Sequence, residues 1–135
     1  MAEGLLRHLA GDRFEVHSAG LHPRPIHPLA VEVMRELGID ISGQRSKSMA
    51  DVQSVGPVLV LIIVCANAEA GCPDTYRPVS VRLAWPFDDP SKASSGRATQ
   101  VERFRRVRDE IRARIEKWLR EELPREWLKR KDTAE

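Results

Sequence analysis

The sequence predicts a small α/β fold, a doubly wound and mainly parallel sheet with helices on both faces. Three observations carry this reading. Helical and strand periodicities alternate along the chain, the order that builds parallel sheets. Val58-Leu59-Val60-Leu61-Ile62-Ile63-Val64 is β-branched and apolar on both faces, which suits a strand covered from either side. A long amphipathic segment closes the pattern, and 135 residues, 41% hydrophobic and 31% charged, suffice for one globular domain. Residues 1–123 are assigned to that domain and 124–135 to a charged C-terminal tail.

Each element follows from its local pattern. Met1 to Ala10 sets Leu5, Leu6 and Leu9 on one helical face, and Gly11-Asp12 ends the helix in a turn. Phe14, Val16 and Ser18 alternate with Glu15 and His17, a strand's period of two. A proline-rich loop from His22 to His27 leads to Pro28, suited to the first helical position. Leu29, Val33, Met34 and Leu37 make the next stripe, with Gly38 as its C-terminal cap. Ile39-Asp40-Ile41 reads as a short extended link, and Arg45 to Gln53 as a polar loop entering a short helix of open register. After the Val58 strand, a further strand is expected over Val79–Ala84, followed by the loop Trp85–Pro90. From Gln100 to Leu123 the stripe Val101, Phe104, Val107, Ile111, Ile115, Trp118 and Leu119 defines a long helix. Glu102 with Arg106, Glu110 with Arg114, and Glu116 with Arg120 are spaced for i,i+4 pairs on its polar side, and Pro124 stops it.

Composition excludes several function classes. Twenty-two Lys and Arg against twenty Asp and Glu leave a net charge of +2, too small to argue for nucleic acid. The last helix carries Arg103, Arg105, Arg106, Arg108, Arg112 and Arg114, but they alternate with acids as a solvated helical face does. The longest apolar run, Val58–Ala66, is about half the ~20 residues a membrane-spanning helix needs. The first residues, with an acid at the third position and no apolar stretch, are not a secretory signal, so a cytoplasmic location is expected. In that compartment two cysteines are an unlikely static staple, which leaves redox work or inert burial.

In parallel sheets function gathers in the loops beyond the strands' carboxyl ends, here after Ala19, Val64 and Ala84. Cys65 follows the apolar strand directly and Cys72 stands seven residues on. Two thiols so spaced pair only if the segment between them rearranges, which suits a redox switch; two unrelated small core residues are the other reading. No second Cys or His pair lies at zinc-ligand spacing, and neither cysteine opens a Cys-x5-Arg loop, since positions 71 and 78 are Gly and Pro. Asp88-Asp89-Pro90 offers carboxylates where a general acid would stand, or a turn opened by Asp before Pro. Glu3 and Ser18 taken singly are ordinary surface residues, as are His8 and His17.

Several segments together resemble the thioredoxin-coupled arsenate reductases, which share the low-molecular-weight protein tyrosine phosphatase fold. They are Met1-Ala2-Glu3-Gly4, Val16-His17-Ser18-Ala19-Gly20, Ala30 through Ser42, Val64-Cys65 with Cys72-Pro73, Trp85 through Pro90, and Phe104 through Ile111. Each is weak alone, but they run in family order across nearly the whole chain.

The resemblance implies a set of roles. A nucleophilic cysteine attacks arsenate, Cys65 attacks that sulfur and releases arsenite, and Cys72 attacks Cys65 to leave a redox-active disulfide for thioredoxin. Asp89 matches the acid that protonates the departing hydroxide, and Glu3 and Ser18 match positions that in some members help hold potassium. The implied partners are arsenate or a phosphate-like oxyanion and thioredoxin, with no tightly bound cofactor and a role in arsenical resistance. In the family a first strand and a Cys-x5-Arg loop lie just before the Met-Ala-Glu that opens the first helix. The expectation is therefore a fold lacking its first central strand and its nucleophile loop, truncated and inactive on its own. Relatives also carry an Asp and a Thr where this chain has Leu59 and Ile63, which weakens the potassium expectation. A non-catalytic redox-responsive or binding module of the same fold, or a phosphatase-like hydrolase, are the alternatives.

Overall fold

The computed structural model describes residues 1–20, 25–45, 47–48, 51–52, 58–65, 79–91 and 96–124. Cys72 and the tail beyond Pro124 lie outside them. Helix α1 spans Ala2–Ala10, α2 Pro28–Arg35, strand β1 Val58–Cys65, β2 Val79–Phe87 and α3 Arg97–Lys117, which continues as a π-helical turn over Trp118–Glu122.

The first helix turns a different face inward from the one its leucines predict. Glu3, Gly4, Leu5 and Ala10 are buried, while Leu6 and Leu9 pack at the margin of the core. Gly4 sets this rotation, because a Cβ there would stand 2.6 Å from Ile41 Cγ2. The absent side chain lets α1 seat directly on the segment that follows α2.

Beyond α1 the expected strand at Phe14–Ser18 is an extended segment without a ladder among the described residues. Its period of two survives, with Val16 buried and Glu15 and His17 exposed, but a strand needs a hydrogen-bonded neighbour. Pairing is limited to one parallel bridge between Gly20 and Ser48, where the Gly20 N–H donates to the Lys47 carbonyl at 2.9 Å. Arg7 Nη2 meanwhile donates to the Val16 carbonyl at 2.7 Å and holds the segment to α1.

Both ends of α2 follow local chemistry. His27 is its N-cap, with Nδ1 accepting from the Leu29 N–H at 3.1 Å, and Pro28 needs no amide partner at the first position. At the other end Gly38 adopts φ +75°, the Ile39 N–H donates to the Met34 carbonyl and the Gly38 N–H to that of Arg35. This reciprocal closure needs a left-handed residue at Gly38 and satisfies carbonyls the helix leaves open. Ser48 and Asp51 then cap the short helix expected after Arg45, each side chain accepting from the other's N–H.

Strands β1 and β2 pair in parallel, from Val58↔Val79 to Cys65↔Phe87. The second strand extends three residues further than its sequence suggests, and Trp85-Pro86-Phe87 belongs to it rather than to a loop. Between Ile63↔Ala84 and Cys65↔Phe87, β2 advances one residue more than β1, a bulge that contains Pro86. A proline has no N–H to give a ladder, so a bulge is where a strand tolerates it. The sheet is also less enclosed than the apolar run implies. Val60, Ile62, Leu83, Trp85 and Phe87 face the core, whereas Arg82, Ala84 and Pro86 are exposed and Leu59 is 45% exposed.

Helix α3 unites the layers. Val101, Phe104, Val107, Ile111, Ile115 and Trp118 are buried as their spacing predicts, with Leu119 at the margin. Its surface pairs differ from the expected set: the acids meet arginines on their N-terminal side, as Arg106–Glu110 and Arg112–Glu116. Glu102 is drawn to Arg105 instead, and Arg114 lies over the Trp85 ring at 4.5 Å while pairing with Glu122. Widening of the last turn places Trp118 between Phe14 and Trp85, each ring centroid 5.8 Å away. Leu123 is then extended before Pro124, as a residue preceding proline must be.

Candidate active site

The parallel register decides where chemistry gathers. Because Cys65 is level with Phe87, Asp88 and Asp89 leave the sheet immediately beyond it on the neighbouring strand. Two of the three predicted catalytic positions therefore share the carboxyl edge of the sheet, the edge where α/β proteins bind ligands.

Asp89 is exposed and held by its own turn. Its Oδ1 accepts from the Ser91 N–H at 2.9 Å and from the Ser91 hydroxyl at 2.6 Å. Donors on one carboxylate oxygen fix the plane of the group. The turn reading of this aspartate holds, and the turn it opens is also what orients its carboxylate. Ser91 was missed in the sequence, although Asp-x-Ser is the spacing of such a turn. Asp88 points to α3 instead, 3.6 Å from Arg106 Nη2.

Helix α1 packs beside α3. Phe14, just past the helix, packs on Trp118 at the far end of α3, so α1 begins toward the end where α3 leaves the β2 loop. The first turn carries Glu3, whose side chain is only 3% exposed and is not the surface residue its position suggests. Glu3 Oε1 accepts from Lys47 Nζ at 3.1 Å and lies 3.5 Å from Arg7 Nη2. The Met1 amine sits close by: burial pushes its pKa down, and the Glu3 charge opposes that shift. A cleft of about 550 Å³ opens beside the pair, lined by Gly4, Arg7, Gly43, Gln44 and Lys47 among others.

The potassium expectation does not fit these residues. Ser18 is exposed, and the Glu3 oxygen that would face a cation already faces a lysine ammonium and an arginine. Among the described residues no three His, Cys, Asp or Glu side chains come together as a metal centre.

A cysteine and an acid turn on the carboxyl edge of a parallel sheet, beside the start of a buried first helix, define the class. The chain belongs to the low molecular weight phosphotyrosine protein phosphatase family, whose pattern matches residues 1–131. Within it the similar proteins are arsenate reductases. The chain is 41% identical over 118 residues to the arsenate reductase of Shouchella clausii, a match covering 87% of this chain and 84% of that protein. It is 37% identical over 118 residues to that of Bacillus subtilis, covering 87% and 84%. Among solved structures, an arsenate reductase in the phosphate binding state superposes with a TM-score of 0.72 at 29% identity, covering 88% of this chain and 85% of that one. An arsenate reductase in the oxidized state gives 0.67 at 29% identity, covering 85% and 82%.

Proposed function

We propose that this chain carries the resolving half of a thioredoxin-coupled arsenate reductase. The observation that supports it most is the register that sets Cys65 level with Phe87, beside the turn of Asp89. Reduction of arsenate to arsenite takes two electrons, which two thiols supply as they join in a disulfide. In the proposed cycle a thiolate attacks arsenic, and Asp89 protonates the hydroxide that leaves. Cys65 attacks the arsenylated sulfur, releasing arsenite and forming a first disulfide. Cys72 then attacks Cys65 and frees the first sulfur. The thioredoxin dithiol reduces the Cys65–Cys72 bond and takes up the oxidation in turn.

The first thiolate needs a loop of backbone N–H groups around a tetrahedral oxyanion, the function of a Cys-x5-Arg segment. Neither cysteine of these 135 residues opens one. On their own these residues are therefore proposed to turn over no arsenate. A phosphatase reading is weaker, because ester hydrolysis requires no relay thiols. Among the described residues no helix is long and apolar enough to cross a membrane, consistent with action in the cytoplasm beside thioredoxin.

Mild oxidation of the purified chain, followed by thioredoxin, its reductase and NADPH, tests the relay. Both thiols should disappear together by thiol titration and return together, with Cys72→Ser abolishing the reversible step. Thiols that stay free, or a bond that thioredoxin leaves intact, overturn the assignment. Arsenite produced by this chain alone would overturn the proposed lack of turnover.

A further inference from the structure

Glu3 is a buried carboxylate on the first turn of α1, and a buried carboxylate is tolerated only when its charge is answered. The resemblance implied potassium as the answer in some members; here the structure gives a different solution. Lys47 stands 44 residues away in sequence, and its Nζ meets Glu3 Oε1 at 3.1 Å with its own side chain only 22% exposed. Its backbone is not free to drift. The Lys47 carbonyl accepts from the Gly20 N–H, and the next residue, Ser48, forms the bridge to Gly20 and caps a helix turn. Lys47 is thus anchored at its own carbonyl and at the next residue while its ammonium reaches inward.

We propose that Lys47 is a built-in counter-ion that replaces a bound monovalent cation at Glu3 and fixes the first turn of α1 to the segment after α2. Lys47 is a positioning residue, acting through Glu3 on the first turn of α1. Two fixed cations, Lys47 and Arg7, leave the carboxylate no charge for an alkali ion to neutralise. The protein is accordingly indifferent to which monovalent cation surrounds it. Removal of the lysine opens its place onto the adjoining cleft, through which a small cation reaches the Glu3 carboxylate.

Thermal unfolding of the chain and of Lys47→Ala, in potassium, ammonium or choline chloride at one ionic strength, tests this. The parent midpoint should be the same in all three salts. Lys47→Ala should melt lower in choline by about 5 °C or more, the order expected when a buried carboxylate loses one of two partners in a domain of this size. Potassium or ammonium should restore much of that loss saturably, which a merely structural role for the side chain does not predict. Lys47→Arg should retain the parent behaviour. If Lys47→Ala does not fold in choline, the pair Glu3→Gln with Lys47→Ala, which leaves no charge unanswered, should fold in every salt. A parent midpoint that rises saturably with potassium, a variant whose loss no cation repairs, or a double variant no better than the single one overturns the proposal. Arsenate plays no part in the readout, so failure here leaves the thiol relay standing, and failure of the relay leaves Lys47 in place.

Discussion

Gly38, at φ +75°, shows how much one position can decide. An alanine there must adopt a left-handed backbone, and Gly38→Ala should lower stability by about 1 kcal/mol by urea unfolding. Nothing stands within 4 Å of an added Cβ, so the loss would be conformational and not steric. His27 is the counterpart at the other end of α2. Its cap works only with an unprotonated Nδ1, and His27→Ala should cost about 1 kcal/mol, with His27→Asn keeping most of the cap. Gly38 was legible in the sequence as a cap because caps are local chemistry, whereas His27 read only as the end of the loop before Pro28. Glu3 and Lys47 were not: charge pairs that close across 44 residues leave no periodic trace, and Glu3 reads as surface until its partner arrives. Ser48 and Asp51 lie between these cases, since their spacing is that of a reciprocal cap although the surrounding loop hides its register.

Elements are held together here by a few side chains with several partners each. Arg108, buried on α3, donates to the Val33 carbonyl at 2.8 Å and to Glu36 at 2.7 Å, and Arg105 grips the same Glu36 from the next turn. Arg108→Met should cost about 2–3 kcal/mol, because a carbonyl and a carboxylate of α2 both lose a buried donor. The clamp also sets an acid limit. Hydrogen bonds from Arg105 first, with help from Arg108, hold the Glu36 carboxyl below the ordinary glutamate range. The unfolded chain therefore takes up this proton first as pH falls. Stability from the clamp is complete above the ordinary range and is lost as pH drops through the depressed value. Glu122, held down by Arg114, acts in the same sense. Melting midpoints between neutral pH and pH 3 should fall for the parent and fall less steeply for Glu36→Gln. At this scale α2, β1 and the core stripe of α3 were readable from periodicity. The surface pairs of α3 were not, because Glu36 and Trp85, on other elements, recruit Arg105 and Arg114.

The whole molecule is a helical layer on a two-stranded sheet whose outer face is open to solvent among the described residues. Leu59 stands on that face, and among the described residues β1 has a ladder on one edge only. Exposed strand edges with apolar side chains favour association. The chain should scatter light increasingly with concentration, and Leu59→Lys should reduce that scattering while changing unfolding free energy by no more than about 0.5 kcal/mol. Unchanged scattering would clear this edge of responsibility. The apolar run told of a strand but not of what covers it, since burial on a second face depends on a layer that periodicity cannot see. The bulge at Pro86 has a consequence at the same scale. Side chains alternate along a strand, so the parity of residue count through the bulge determines the side on which Phe87 departs. Deleting Pro86 would turn Phe87 out of the core, while the Asp89–Ser91 turn would keep its own hydrogen bonds. A single codon lost from the strand would thereby turn over the base on which the acid turn stands while leaving net charge untouched.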